Sequence, residues 1–100
     1  MLNKVSISRS ATNKLDVEYK KTGLRPNIIA RNAFMASLET DNFFDSNQLI
    51  DMSGKEFNTY TLFGDNIDLY MVFIKHKYHS YSGYEFFLPQ IIAWHIEGGF

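Results

Sequence analysis

Hydrophobic and polar positions along the first twenty residues change from a period of two to a period near 3.6. The segment Lys4–Ser8 reads KVSIS, and this alternation predicts a short strand buried on one face. From about residue 11 to residue 21, apolar side chains recur at spacings of three and four, which predicts a helix capped by Ser8 or Ser10. Since so short a strand is unstable alone, we expect it to pair with a partner.

A second helix is predicted from about residue 27 to residue 38. Small side chains on such a helix let another helix approach closely. The residues expected on its buried side are Ile28, Ile29, Ala33, Phe34 and Ala36.

The corner between these two helices reads TGLRPN. Gly23 favours a helix end because it accepts left-handed backbone. Pro26 suits the first turn of the next helix, where its missing N–H would be unpaired anyway, and we expect Asn27 to cap that helix. Two helix ends and three cations therefore meet here: Lys20, Lys21 and Arg25.

Residues 39–53 are rich in acids, Asn and Ser, which predicts a long surface loop. We expect the loop to be held down by four apolar side chains: Phe43, Phe44, Leu49 and Ile50.

Beyond this loop the pattern returns to regular structure. Residues 57–64 favour a strand or an extended lead-in to a helix that begins after an Asp65 cap. Helices are predicted at about 66–79 and 84–98, with a turn at 79–83, and Pro89 fits the last helix only near its first turn.

These elements predict a mainly α, small single domain spanning residues 1–100: an N-terminal β-α-α unit, like that of ribbon-helix-helix proteins, followed by two further helices. The hydrophobic content of 45% is enough for a core. The chain has no Cys, which excludes disulfides and zinc-thiolate sites. No apolar run approaches the roughly 20 residues of a membrane span, and MLNKVSISRS lacks a secretory h-region, so we expect a cytoplasmic protein without a membrane partner.

Charge is distributed unevenly although the net charge is only -1. Residues 1–35 carry seven Lys and Arg against two acids, and residues 36–100 carry three Lys against nine acids. A basic N-terminal third favours a polyanion such as double-stranded DNA, although a solvated face that balances the acidic remainder would look the same. The candidate DNA-binding residues are Lys4, Arg9, Lys14, Lys20, Lys21 and Arg25, with Arg31 a weaker candidate that pairs equally well with Glu39.

Two non-enzymatic alternatives remain open at this point. In a ribbon-helix-helix repressor, two chains would pair their strands and read bases with Lys4, Ser6 and Ser8. A protein-interaction adaptor would need neither DNA nor self-assembly. A DNA-binding protein is also expected to carry an acidic or apolar surface for partner proteins, and the candidates for it are Phe43, Phe44, Asp45 and Asp51.

Enzyme signatures are missing from the sequence. It has no Gly-rich phosphate loop, no paired-carboxylate signature and no thiol nucleophile, so we expect no catalytic residues and no cofactor. His76, His79 and His95 suggest a metal site only weakly, because no HExxH-type motif accompanies them; capping or core hydrogen bonding explains His79 and His95 more easily.

Several ordered stretches give the chain a family resemblance. They run from the corner Lys21–Asn27, with Arg31, Ala33 and Ser37-Leu38, through Phe57-Asn58, Tyr60–Asp65 and Asp68–Tyr70, to His79, Gly83, Leu88, His95-Ile96 and Gly99. With these motifs the chain resembles the DndE family of bacterial DNA phosphorothioation (DNA sulfur modification) systems over nearly its whole length. The loop at 39–56 departs from the family pattern.

The resemblance implies a mostly helical protein that assembles as a homo-oligomer, specifically a tetramer. It also implies binding of double-stranded DNA, with a preference for nicked duplex, through lysines on a positive surface. The implied partners are the other Dnd sulfur-modification proteins, which carry the desulfurase and ATP-dependent chemistry. The absence of Cys fits this division of labour.

Overall fold

A computed structural model describes residues 2–100. Its two strands, β1 (Lys4–Ser6) and β2 (Glu56–Asn58), pair antiparallel, with Val5 opposite Phe57 and both side chains buried. The N-terminal strand thus finds its partner within the same chain. The ribbon-helix-helix arrangement, in which a second chain supplies that strand, was therefore the wrong interpretation of the β-α-α order. The mainly helical class is confirmed.

Helix α1 (Arg9–Thr22) begins where Ser8 accepts a hydrogen bond from the Ala11 N–H at 2.9 Å. The cap prediction is thus confirmed at the first of its two candidate serines. Gly23 ends the helix with φ of 73°, as predicted. The buried side of α1 is narrow, and its buried residues are Ala11 and Leu15.

Helix α2 (Pro26–Leu38) lies at the centre of the fold, in contact with α1 and with the C-terminal helix. Pro26 occupies its first turn as predicted, but the cap position is Arg25. The expectation that Asn27 caps α2 was wrong, because its amide instead donates to the Thr61 carbonyl at 3.0 Å. Burial also differs from prediction: Ala36 is exposed and Ile28 is half-buried, whereas Ala30 and Leu38 are buried.

Residues 57–64 were expected to form a strand or an extended lead-in, but only Phe57 and Asn58 belong to a strand, so most of this prediction was wrong. The strand leads directly into a short helix, α3 (Thr59–Phe63), which Asn58 caps through its side chain. Gly64, with φ of 66°, opens a 3₁₀ turn, Gly64–Asn66, before α4 (Ile67–Tyr78). Asp65 lies within that turn, so its assignment as the α4 cap was wrong.

The last helix, α5 (Leu88–Gly98), follows the turn at 79–83 and a 3₁₀ segment, Tyr84–Phe87. It begins four residues later than predicted, and Pro89 falls in its first turn as required. Helices α2, α4 and α5 bury the centre of the core, where Phe34 packs edge-on against Phe63, Tyr70 and His95. Both strands and all five α-helices contribute to this one hydrophobic cluster.

The loop predicted at 39–53 is confirmed and continues to residue 55, and backbone and side-chain hydrogen bonds hold it to the domain. Phe44 is buried and Ile50 is half-buried, with the Ile50 N–H donating to Gln90 Oε1 at 3.0 Å. Leu49 is 66% exposed and Phe43 is 37% exposed, so these two side chains hold the loop less than we expected.

Gly54 marks the closest approach of the loop to the start of α1, and Gly54→Ala should destabilise the fold by about 3 kcal/mol. An added Cβ would overlap Thr12 Oγ1 and lie 2.5 Å from the Ser8 carbonyl oxygen, which is itself engaged in the helix. Urea unfolding would measure the loss. Gly23→Ala is the comparison, since nothing lies within 4 Å of its added Cβ and only the positive φ opposes it, at about 1 kcal/mol. Equal losses in the two variants would contradict the close approach.

Candidate nucleic-acid interface

The corner between α1 and α2 presents three of the predicted cations together. Lys20 and Lys21 lie in the last turn of α1, and Arg25 is the extended residue that precedes α2. All three side chains are exposed. The Thr22 hydroxyl fixes the connection, because it donates to the Glu18 carbonyl at 2.8 Å and accepts from the Leu24 N–H at 3.1 Å. These contacts between near neighbours fix the backbone that carries Lys20, Lys21 and Arg25.

Helix geometry distributes the remaining cations of α1 around its solvent side. At 100° per residue, Lys14 and Lys21 lie on one flank of the face opposite Leu15, whereas Arg9 and Lys20 lie on the other. Val17 lies between these two flanks and is about half exposed, whereas Tyr19, exposed to a similar degree, lies about 40° from Leu15, beside the buried face. The outer side of α1 is thus a broad cationic surface with an apolar residue between its flanks rather than a single cluster.

Two of the six predicted cations have acidic neighbours. Lys4 Nζ lies 3.6 Å from Glu56 Oε1 in an exposed ion pair. The backbone N–H of Arg9, not its guanidinium, donates to Asp51 Oδ2 at 3.2 Å, and hydrogen bonds from Ser53 and from this backbone group, with a smaller effect of the Arg9 charge, lower the pKa of that carboxyl. Within residues 2–100, the other four cations form no ion pair. We therefore define the basic corner surface as those four residues: Lys14, Lys20, Lys21 and Arg25.

Arg31 has a structural role that its sequence context did not reveal. Its Nε donates to the Leu62 carbonyl at 2.8 Å, and its Nη2 reaches the Thr61 carbonyl at 3.5 Å. Together with Asn27, one turn earlier on α2, it donates hydrogen bonds to the carbonyl groups at the C-terminal end of α3. The alternative in which Arg31 pairs with Glu39 is not found, because the carbonyl groups of Thr61 and Leu62 occupy the guanidinium.

The repressor alternative also fails at its predicted base-reading residues. Ser8 is buried, caps α1 and donates to Glu97 at 2.5 Å, so its hydroxyl cannot reach a base. Ser6 is half-buried opposite Glu56, and Lys4 pairs with that same glutamate. Glu56 thus places a carboxylate beside Lys4 and Ser6 on this sheet.

The histidines occupy two separate environments. The His79 Nδ1–H donates to the His76 carbonyl at 2.8 Å at the exposed end of α4, which is the predicted capping role. His95 is fully buried on α5, with Nδ1 2.8 Å from Ser37 Oγ and Nε2 2.8 Å from Tyr78 Oη, which confirms the core-bonded interpretation. Across residues 2–100, no three His, Asp or Glu side chains are placed to share a metal ion.

Hydrogen bonds at both ring nitrogens hold His95 in the core. Tyr78 Oη accepts from the Phe44 N–H at 2.7 Å and is also bonded to His95 Nε2, while Nδ1 is bonded to Ser37 Oγ. Burial raises the pKa of Tyr78 to about 12, and burial, with a smaller effect of the Lys77 charge, lowers the pKa of His95 to about 4. Both groups are therefore neutral near pH 7. Sequence reasoning predicted a core histidine but had no signal for these partners.

The fold and surface together define a small helical protein with one intrachain β-ribbon and a cationic helix corner. The chain belongs to the DndE family, because the family model described as "DNA sulphur modification protein DndE" matches residues 4–100.

Solved structures agree with this assignment. The chain is similar to DndE from Escherichia coli B7A, described as involved in DNA phosphorothioation modification, with a TM-score of 0.85 and 25% identity over 99% of this chain and 95% of that one. It is also similar to a glycine-to-lysine mutant of DndE, with a TM-score of 0.81 and 25% identity over 99% and 94%. No curated protein sequence matches the chain.

Proposed function

We propose that this protein is a non-catalytic subunit of a DNA phosphorothioation system that binds double-stranded DNA through the basic corner surface, with Lys4 and Arg9 at its margin. The observation that carries the proposal is the exposure of Lys14, Lys20, Lys21 and Arg25, none of which forms an ion pair within residues 2–100, in a chain of the DndE family. Lysine and arginine side chains of this kind neutralise phosphates, which gives affinity but little sequence information.

The proposed partners are the other Dnd sulfur-modification proteins, which would carry the chemistry in the cytoplasm. This chain has no cysteine to hold a persulfide or ligate an iron–sulfur cluster. In residues 2–100 no helix is long and apolar enough to cross a bilayer. The protein would act as a tetramer, since four basic surfaces on one particle gain avidity for a long duplex.

Intrachain strand pairing removes one argument for self-association. Because β1 is satisfied by β2, the sheet does not require a second chain. What supports a tetramer is the large apolar area left in water, including Val72 at 57% and Phe86 at 89% exposure. Light scattering at micromolar concentration tests this part, and a monomer would contradict it.

Binding should be strongly salt-dependent and tighter to nicked duplex than to intact duplex of the same sequence. With four phosphate contacts, the plot of log affinity against log salt concentration should have a slope of about -3.6. Fluorescence anisotropy with intact, nicked and scrambled duplexes measures the slope, and gels of the same samples with added divalent metal follow cleavage. A flat salt response or a strong preference for one sequence would contradict the phosphate-directed mode. Cleavage that disappears in His79→Ala would contradict the non-catalytic role.

A further inference from the structure

A second surface, chemically unlike the basic corner surface, lies where the loop at 39–55 meets the turn after α4. A cavity of about 420 Å³ opens there, within the range of ordinary ligand sites. Its lining consists of Phe43, Phe44, Asp45, Ser46 and Tyr81. We call these five residues the acidic aromatic surface.

Two aromatic rings of this surface are stacked and reach solvent. The Phe43 and Tyr81 ring centroids lie 5.3 Å apart with 23° between the ring planes, and the two residues are 37% and 46% exposed. Lys77 Nζ already lies 4.3 Å from the Phe43 centroid, which shows that a cation is accommodated on that ring. In the described chain, no cation lies over the Tyr81 ring.

Asp45 adds a carboxylate to the same cavity. Its Oδ1 accepts the Asn47 N–H at 2.9 Å and so fixes the side chain, while Oδ2 has no hydrogen-bond or ion-pair partner in residues 2–100. Asp45 is the acid among the five lining residues, and the Lys77 ammonium lies against one of them, Phe43. The Asp45 carboxylate, which forms no ion pair in the described chain, opposes a phosphate and favours a cation.

We infer that the acidic aromatic surface binds an arginine side chain of a partner protein. A planar guanidinium can stack on an aromatic face while its edge donates hydrogen bonds to a carboxylate, and the cavity offers both groups. A lysine ammonium lacks the planar face and gains less from Tyr81. None of the five lining residues belongs to the basic corner surface. An experiment can therefore disprove one proposal without disproving the other.

The test titrates isotopically labelled full-length protein with the peptide acetyl-Gly-Arg-Gly-amide and follows backbone amide resonances by NMR. The control peptide replaces arginine with citrulline, which keeps the planar shape but removes the charge. We expect the arginine peptide to shift the amides of residues 43–46 and 81–82, and the citrulline peptide to bind at least about threefold more weakly.

Asp45→Asn is the principal variant, because its amide oxygen still accepts the Asn47 N–H while the charge is removed. This variant should bind the arginine peptide at least about threefold more weakly. Asp68→Asn, which removes an exposed acid on α4, should leave the affinity for that peptide unchanged. Tyr81→Phe should preserve binding because the aromatic face remains. Equal binding of the two peptides, or equal weakening by Asp68→Asn, would overturn the inference. So would the same amide shifts on concentrating the protein alone, since the occupant would then be a second copy of the chain.

Discussion

Reversing the charges at Lys20 and Lys21 is expected to weaken duplex binding about 30-fold at ~0.15 M salt. Each phosphate contact contributes about fivefold through counterion release at that concentration, so the loss of two contacts multiplies to this value. The plot of log affinity against log salt should also become shallower by about two units. Anisotropy titrations of Lys20→Glu/Lys21→Glu at several salt concentrations measure both quantities.

Lys75→Glu provides a matched control for the charge reversal. Lys75 is an exposed lysine in the last turn of α4, just as Lys20 and Lys21 lie in the last turn of α1. Each replacement therefore places an acid near the negative end of a helix dipole, and any destabilisation from that source is shared. If Lys75→Glu weakens binding as much as single reversals at Lys20 or Lys21, the DNA lies on another face of the protein.

Acidification from pH 7 to pH 5 is expected to destabilise the fold by about 2 kcal/mol through His95 alone. The pKa of this buried imidazole is lowered from 6.5 to about 4 in the folded protein. Between these two values the unfolded chain takes up a proton that the folded chain does not, so stability falls as the pH falls. The full contribution, about 3 kcal/mol, is lost once the pH reaches the folded pKa.

His95→Gln is the variant that tests this pH dependence. Its amide can still bond to Tyr78 but does not titrate, so the change in unfolding free energy between pH 6.5 and pH 4 should become much smaller. Urea unfolding followed by Trp94 fluorescence measures that free energy at each pH. The lowered pKa of Asp51 changes the unfolding free energy only below about pH 4, which is outside this pH range. An unchanged slope in His95→Gln would show that His95 is not the group responsible.

The same buried network explains why the acidic aromatic surface has a fixed position. The Phe44 N–H donates to Tyr78, and the Tyr78 hydroxyl is hydrogen-bonded to His95, so the start of the loop is tied to α4 and α5 at the centre of the core. Lys77 adds a second tie through the Thr40 carbonyl at 2.6 Å. A loop held in this way keeps Asp45 and Tyr81 beside one cavity without a bound partner.

Interactions between near neighbours were largely predictable from the sequence. The Ser8 cap, the left-handed Gly23 and Pro26 in the first turn are properties of four or five consecutive residues, and each was found where it was predicted. The exposure of the cations on α1 follows from the helical period in the same way. The family was also recognisable, because its motifs are short and ordered along the chain.

Contacts between residues that are far apart in the sequence were determined by the tertiary structure. A three-residue strand has too few side chains to specify its partner, and so the sequence left open whether β1 pairs within the chain or with a second chain. Its partner, β2, lies more than fifty residues later. Arg31 and Asn27 looked like surface residues because the carbonyls that bind them belong to α3, over thirty positions away. Hydrogen bonds of this range depend on how helices pack, and local sequence determines the helices but not their contacts.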